Sequence, residues 1–320
     1  LATVFIPYPI QSILKLVPDV ETADRNRADL GKALARCFSD VNPLDLSLRI
    51  IPNLTAGHLA IHFGLRGACR TVADAWTGGL HAIGQAAAAI RDGALDLVFC
   101  GGAECPLEDL VFADLCSTDL LSPPADPPEG TCRPFGAGRQ GTVAGEGAAV
   151  LVLEAAEHAV RRGARVRAEC AGFGAAGADP SPDGIRDGLQ LAMRTALAEA
   201  GREAADAVSL HGDGGVDSDL GEATALRAFA AADAGPAVYA TKGAHGNLFS
   251  AAGPTEAVGA VMALDERAIP PSRNCEAIDP ACGLWLEPRG ARSISGLRTV
   301  LVNAVGAYGE TASLAITRAA

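Results

Sequence analysis

Three stretches of the 320-residue sequence gather side chains able to do acid, base or charge-stabilising chemistry. In SLHGDGGVDSDLGEATALRAF (209–229), His211 stands at the mouth of an apolar run, just before a glycine loop. Strand ends in α/β sheets are where ligands gather, and an imidazole titrates near neutrality, so His211 is a candidate general base. A satisfied turn histidine would give the same pattern. In ATKGAHGNLFSAAGPTEAVGAVMAL (240–264), Lys242, His245 and Asn247 lie between a strand-like run and an alanine-rich helix start. The free N–H groups and dipole of such a start favour developing negative charge. Plainer duties fit equally: Asn247 or Ser250 as a helix cap, Lys242 as half of an ion pair. In CRPFGAGRQGTVAGEGAAVLVLE (132–154), glycines punctuate a charged loop that enters a buried strand, and Arg133, Arg139 and Glu146 are placed to lock it by pairing. Alone, that stretch reads as structural.

The elements that must position these residues follow an α/β pattern, short apolar runs alternating with longer amphipathic ones. GGLHAIGQAAAAIRDG (78–93) predicts a helix, LDLVFCGG (95–102) and AAVLVLE (148–154) strands, and EAAEHAVRRG a short helix. RVRAECAGFG then reads as a strand, GIRDGLQLAMRTALAEAG as a helix, AVSLHGDGG as a strand entering a glycine loop, and DLGEATALRAFAAA as a helix. AVYATKG is strand-like, SAAGPTEAVGAVMALDE helical, and TVLVNAV with TASLAITRA closes as two strands. Residues 117–139, with four prolines in STDLLSPPADPPEG, form a long surface loop. The similar element order in the two halves points to an old duplication.

With 49% apolar residues the chain can bury a core large enough for one big domain or two fused half-domains. No run approaches the roughly eighteen apolar residues of a membrane span, and LATVFIPYPI lacks a secretory pattern, so the expectation is cytoplasmic. The first residue is not methionine, and an N-terminal piece is expected to be missing. A net charge of -12 argues against nucleic acid and membrane surfaces, leaving small molecules or proteins as partners. Nine cysteines (37, 69, 100, 105, 116, 132, 170, 275 and 282), scattered and without ligand spacing, predict reduced core thiols and no metal.

Taken together, RPFGAGRQGTVAGEGAAVLVLE, the HG.G....D..E..AL segment, the TK...G.L..AAG..EA block and NAVGAYG (303–309) resemble the β-ketoacyl synthase family in order and spacing, over roughly residues 48–318. The resemblance implies an α/β thiolase-like five-layer αβαβα fold of two similar halves, placed here at 1–155 and 156–320. It also implies dimerisation through a strand beside the nucleophile. The family's opening strand and helices have no counterpart, so either the N-terminal part is incomplete here or a partner completes the layer. VFIPYPIQSILKLV matches the family's interface helix, which makes Tyr8, Ile10 and Ile13 tunnel candidates. Val305, Gly306, Ala307 and Tyr308 fall where the family has a gate of alternating phenylalanine and glycine.

The matching run for the nucleophile is FGLRGACRTVADAWTGGLHAIGQA (63–86). Counting from Gly67 or from His81, the family's cysteine position holds Trp76. An indole cannot form an acyl thioester, so condensation by the family mechanism is lost there. Cys69, seven residues earlier on an expected strand, has nothing to place it beside His211. Trp76 fills space that a pantetheine arm would enter, or it caps and shapes an acyl tunnel. By resemblance His211 and Lys242 match the family's histidine and lysine, and Asn247 replaces its second histidine. Histidine with asparagine is the pairing by which the ketosynthase III and chalcone synthase branch decarboxylates malonyl thioesters.

A kept frame without its cysteine resembles the chain-length factor, or ketosynthase β subunit, of type II polyketide or fatty-acyl synthases. Such subunits form heterodimers with a cysteine-bearing ketosynthase α subunit and help set chain length. They generally carry glutamine where Trp76 stands. Acyl chains would ride on the phosphopantetheine of an acyl carrier protein, with no cofactor of the chain's own. An acidic carrier would dock mainly on the active partner; Arg161, Arg162, Arg165 and Arg167 form either an exception or a solvated face. Two rivals stand beside this reading. One is an independent acyltransferase, thioester hydrolase or malonyl decarboxylase using His211 and Asn247. The other is a non-catalytic homodimer that scaffolds a carrier protein or lipid.

Overall fold

The computed structural model describes residues 52–319 except Asp126 and residues 230–234. Tyr8, Ile10, Ile13 and Cys37 lie outside the described residues. In chain order the elements are α1 (Asn53–His62), α2 (Gly78–Arg91), β1 (Leu97–Glu104), α3 (Asp109–Cys116), β2 (Gly147–Glu154), α4 (Ala156–Arg161), β3 (Ala168–Gly177) and α5 (Pro182–Glu199). There follow β4 (Ala207–Ser209), α6 (Val216–Phe229), β5 (Ala237–Tyr239), α7 (Lys242–His245), α8 (Ala252–Glu266), β6 (Ala268–Ile269), β7 (Arg292–Ser293), β8 (Thr299–Val305) and β9 (Glu310–Arg318).

The centre is β8, TVLVNAV, buried along its whole length as a strand covered on both faces must be. It pairs antiparallel with β9 from Thr299↔Thr317 to Val305↔Thr311, and parallel with β4. The sheet order is β3-β9-β8-β4-β5. A second sheet pairs β1 with β2 antiparallel.

Helix α5 covers one face of the larger sheet. Ser181 caps it by accepting the Gly184 N–H (3.1 Å), and Pro182 and Asp183 suit its first turn. Ile185, Leu189, Met193 and Leu197, spaced by four, are its buried stripe. It lies on β3 so closely that a Cβ at Gly172 or Gly174 would collide with the carbonyl oxygens of Ala196 and Ala192. Helices α2 and α8 touch both sheets and form the layer between them. Leu80 and Ile83 meet Ala257, Ala260 and Leu264 there. The described residues thus supply an α–β–α–β stack, with α5 and α6 outermost, that accounts for four of the five expected layers.

Two expectations are corrected. Cys69 is on irregular chain, not a strand; residues 61–70 are exposed throughout, so no face is buried to hold a strand in register. The cysteines are not uniformly core thiols: Cys100, Cys132, Cys275 and Cys282 are buried, but Cys69, Cys105 and Cys116 are exposed. Apolar sequence neighbours do not bury a residue at the exit of an element, and Cys105, just past β1, turns its thiol to the Glu146 carboxylate (3.4 Å). Among the described residues no helix is long and apolar enough to cross a membrane.

Candidate functional site

Sequence-distant segments meet at the C-terminal end of β4. His211 follows that strand by two residues and is buried. Both its backbone and the next are clamped by one carboxylate: Glu222 on α6 accepts the His211 N–H (2.9 Å) and the Gly212 N–H (3.0 Å). Asn303 on β8 donates to Glu222 (3.1 Å) and accepts from Ser313 on β9 (3.0 Å), tying the clamp to the central strands. Lys242, wholly buried, donates to the His211 carbonyl and to Glu256 on α8 (2.6 Å). Its Nζ is 3.5 Å from His211 Nδ1. The ion-pair duty open to Lys242 in the sequence is therefore filled, and the pair joins β4 to the helix layer.

Trp76 completes the cluster. Ala75, at φ +40°, begins the short turn that delivers Trp76 to the start of α2. That left-handed conformation costs a non-glycine residue about 1–2 kcal/mol, and burial of the indole, 7% exposed, offsets it. The indole stacks on His211 with ring centroids 6.4 Å apart and 23° between planes, and meets Phe249 edge-on at 5.3 Å. Phe249 is itself left-handed, φ +50°. Its N–H donates to Asn247 Oδ1 (2.9 Å), so Asn247 holds this turn while its Nδ2 has no hydrogen-bond partner. Ser250 donates to Glu104 rather than capping a helix. His245 is bonded to the Gly246 carbonyl (2.8 Å).

The residue missed in the sequence is Asp213. Its carboxylate accepts from the Gly215 N–H (2.8 Å) and the Ser218 hydroxyl (2.6 Å), and its other oxygen is 3.5 Å from His211 Nε2. At that distance the contact is electrostatic, and Nε2 makes no well-formed hydrogen bond. Burial pushes the Asp213 pKa up, but the neighbouring imidazole and these donors hold it well below the usual carboxylate range. Asp219, deeper still, is pushed well above that range by burial and by the Asp213 charge, against the Phe135 N–H it accepts and the nearby Arg139 charge. The only signal in the sequence was position, a carboxylate two residues past the histidine.

The expected Arg133–Arg139–Glu146 lock does not form. Arg139 pairs with Asp219 (3.4 Å) and Asp279 (2.7 Å), Arg133 donates to the Gly130 carbonyl, and Glu146 meets Cys105. Sequence proximity had hidden partners that lie 80 and 140 residues away. In the arginine cluster, Arg162 pairs with Glu154 (2.6 Å) and Arg167 with Asp265 (2.9 Å).

A cavity of about 350 Å³ reaches Trp76 from the surface. Its buried lining includes Trp76, Ile185, Asp213 and Val305, and its exposed lining includes Asp119, Gln140, Val216 and Asp217. Of the candidate gate residues, Val305, Gly306 and Ala307 line this cavity, and Tyr308 is largely exposed.

Comparison with known proteins gives the family of the chain. The family description "Beta-ketoacyl synthase, N-terminal domain" matches residues 32–159, and "Beta-ketoacyl synthase, C-terminal domain" matches residues 164–276. The 3-oxoacyl-[acyl-carrier-protein] synthase 2 of Vibrio cholerae is 33% identical over 343 residues, covering 98% of this chain and 82% of the relative. Nodulation protein E of Rhizobium leguminosarum bv. trifolii is 38% identical over 247 residues, 76% of this chain and 60% of that protein. The chain therefore spans only part of the length of these relatives. The solved ishigamide ketosynthase/chain length factor superposes with a TM-score of 0.82 at 28% identity, covering 100% of this chain and 75% of the other. The fold is thiolase-like, and the chain belongs to the β-ketoacyl synthase family.

Proposed function

We propose that the chain is a chain-length-factor-like (ketosynthase β) subunit of a type II polyketide or fatty-acyl synthase, inactive in condensation because Trp76 occupies the place of the nucleophilic cysteine. The observation that carries this is the indole itself, buried and stacked on His211, in the space where a thiol would have to meet that histidine. Among the described cysteines, Cys69 is exposed and burial pushes the Cys132 thiol up to about 12, so neither suits the lost role. The pantetheine arm of an acyl carrier protein would end against the indole.

The reading calls for a cysteine-bearing ketosynthase as partner, and the exposed stretch before the turn suits one. Ile61, Phe63 and Leu65 are 80%, 54% and 38% exposed, an apolar strip of the kind obligate interfaces bury. Likeness to the ishigamide ketosynthase/chain length factor agrees with this. His211 Nε2 and Asn247 Nδ2, both buried without a hydrogen-bond partner, favour a second reading, decarboxylation of a malonyl thioester held by those donors. Against it stands the Asp213 carboxylate, 3.5 Å from Nε2, which repels a malonyl carboxylate.

The test is co-expression with a cysteine-bearing ketosynthase, a tag on one chain only, and an assay of malonyl-carrier elongation. A one-to-one complex that elongates only with both chains present supports the proposal. A homodimer that leaves the ketosynthase unaffected sinks it and favours the scaffold; carbon dioxide release by the chain alone favours the decarboxylase.

A further inference from the structure

The cavity over Trp76 has the wrong charge for the anions that β-ketoacyl synthase chemistry brings. Its charged lining residues are Asp119, Asp213 and Asp217, with no lysine, arginine or histidine among the described residues that line it. The nearby cations are already engaged: Arg139 with Asp219 and Asp279, Lys242 with Glu256. The start of α6 would by itself favour an anion, but the two N–H groups just before it are answered by the protein's own carboxylates. Asp213 takes the Gly215 N–H (2.8 Å), and Asp219 takes that of Gly214 (3.3 Å).

A second, independent feature lies at the deep end. Asp213 is 4% exposed, and one of its oxygens is fully occupied by Gly215 and Ser218. The other has only the long contact to His211 Nε2, an atom that itself lacks a hydrogen-bond partner. A buried carboxylate oxygen thus retains acceptor capacity beside an indole, and both line a cavity whose walls include Leu120, Ile185 and Val305. A carboxylate with an aromatic ring and apolar walls is the chemistry that holds an ammonium group joined to a hydrocarbon. About 350 Å³ suffices for a small ligand of this kind.

We propose that this cavity is a binding site for a small protonated amine bearing an apolar group, with the ammonium on Asp213 and the apolar part against Trp76. The site is independent of the partner-subunit reading, because each residue it uses belongs to this chain.

The chain has two tryptophans, so in a Trp285→Phe background emission reports Trp76. This protein is titrated with three probes of one shape: 2-phenylethylammonium, 2-phenylethanol and phenylacetate. The expected result is a saturable change with the ammonium, about tenfold tighter than with the alcohol, and none with phenylacetate. Asp213→Asn brings ammonium and alcohol to equal affinity. Because Asp213 also braces the start of α6, the exposed positions give a second measure. Asp119→Asn with Asp217→Asn weakens the ammonium about threefold and leaves the alcohol unchanged. Equal affinity for ammonium and alcohol in the parent protein, tighter binding of phenylacetate, or no saturable change would each overturn the proposal.

Discussion

Replacing Lys242 with methionine removes one half of a fully buried ion pair and leaves the other half stranded. Lys242 and Glu256 are 0% and 2% exposed, with Nζ 2.6 Å from Oε1. At an effective dielectric of about 20 their gross attraction is on the order of 6 kcal/mol, most of it cancelled by the cost of taking both charges out of water. The net worth of the pair is therefore small, yet loss of one partner exposes the uncompensated burial of the other. Lys242→Met is expected to cost about 3–5 kcal/mol, and Glu256→Leu a similar amount. The double variant should cost much less than the sum, because no stranded charge remains. The pH dependence separates this from simple misfit. Burial already raises the Glu256 pKa, against the lowering effect of Lys242, and without the lysine it rises further. In the Lys242→Met protein the native state then binds a proton more tightly than the unfolded chain, so stability must recover as pH falls from 7 toward 5. Urea unfolding at several pH values reads this directly. Additive single-variant costs, or a Lys242→Met deficit that is flat in pH, would refute the reasoning.

Trp76→Ala removes a buried indole that already borders a cavity, and is expected to cost about 3 kcal/mol, seen as a lower urea midpoint, while enlarging the cavity. Gly172→Val forces a side chain into the Ala196 carbonyl across the β3–α5 contact and should lower the thermal midpoint by several degrees, about 1–3 kcal/mol; an unchanged midpoint would mean that this contact is looser than described. Glu154 is held down to about 2 by its bonds to Arg162 and His158, so its contribution to stability is present above its ordinary pKa of 4.5 and lost as pH falls toward 2. Thermal melts across that window should show Glu154→Gln losing less stability than the parent.

The elements easiest to read in the sequence were those whose pattern is set by burial alone. TVLVNAV and TASLAITRA are rich in apolar and β-branched residues because their strands are buried almost end to end, and the four-residue stripe of α5 is equally plain. Helix α1 buries only Ala56 and so leaves no stripe to read. The strand expected around Cys69 lacks the buried face that would make it one. At the site, the order of the motifs brought His211, Lys242 and Trp76 into view, and the structure sets them in contact or close to it. Their partners were hidden: Glu256, Asn303 and Ser313 reach the site only through packing of α8, β8 and β9, and nothing local marks them. The left-handed backbones of Ala75 and Phe249 were equally silent, because neither residue is glycine.

If acyl transfer takes place on a partner and never on this chain, intact mass spectrometry will resolve where the acyl group sits. The co-purified complex is loaded with an acyl thioester without malonyl donor, and each chain is weighed. One acyl group is expected on the partner ketosynthase and the unmodified mass for this chain, both as it stands and after Trp76→Phe. An acyl adduct on this chain, at any of its nine cysteines, would contradict it.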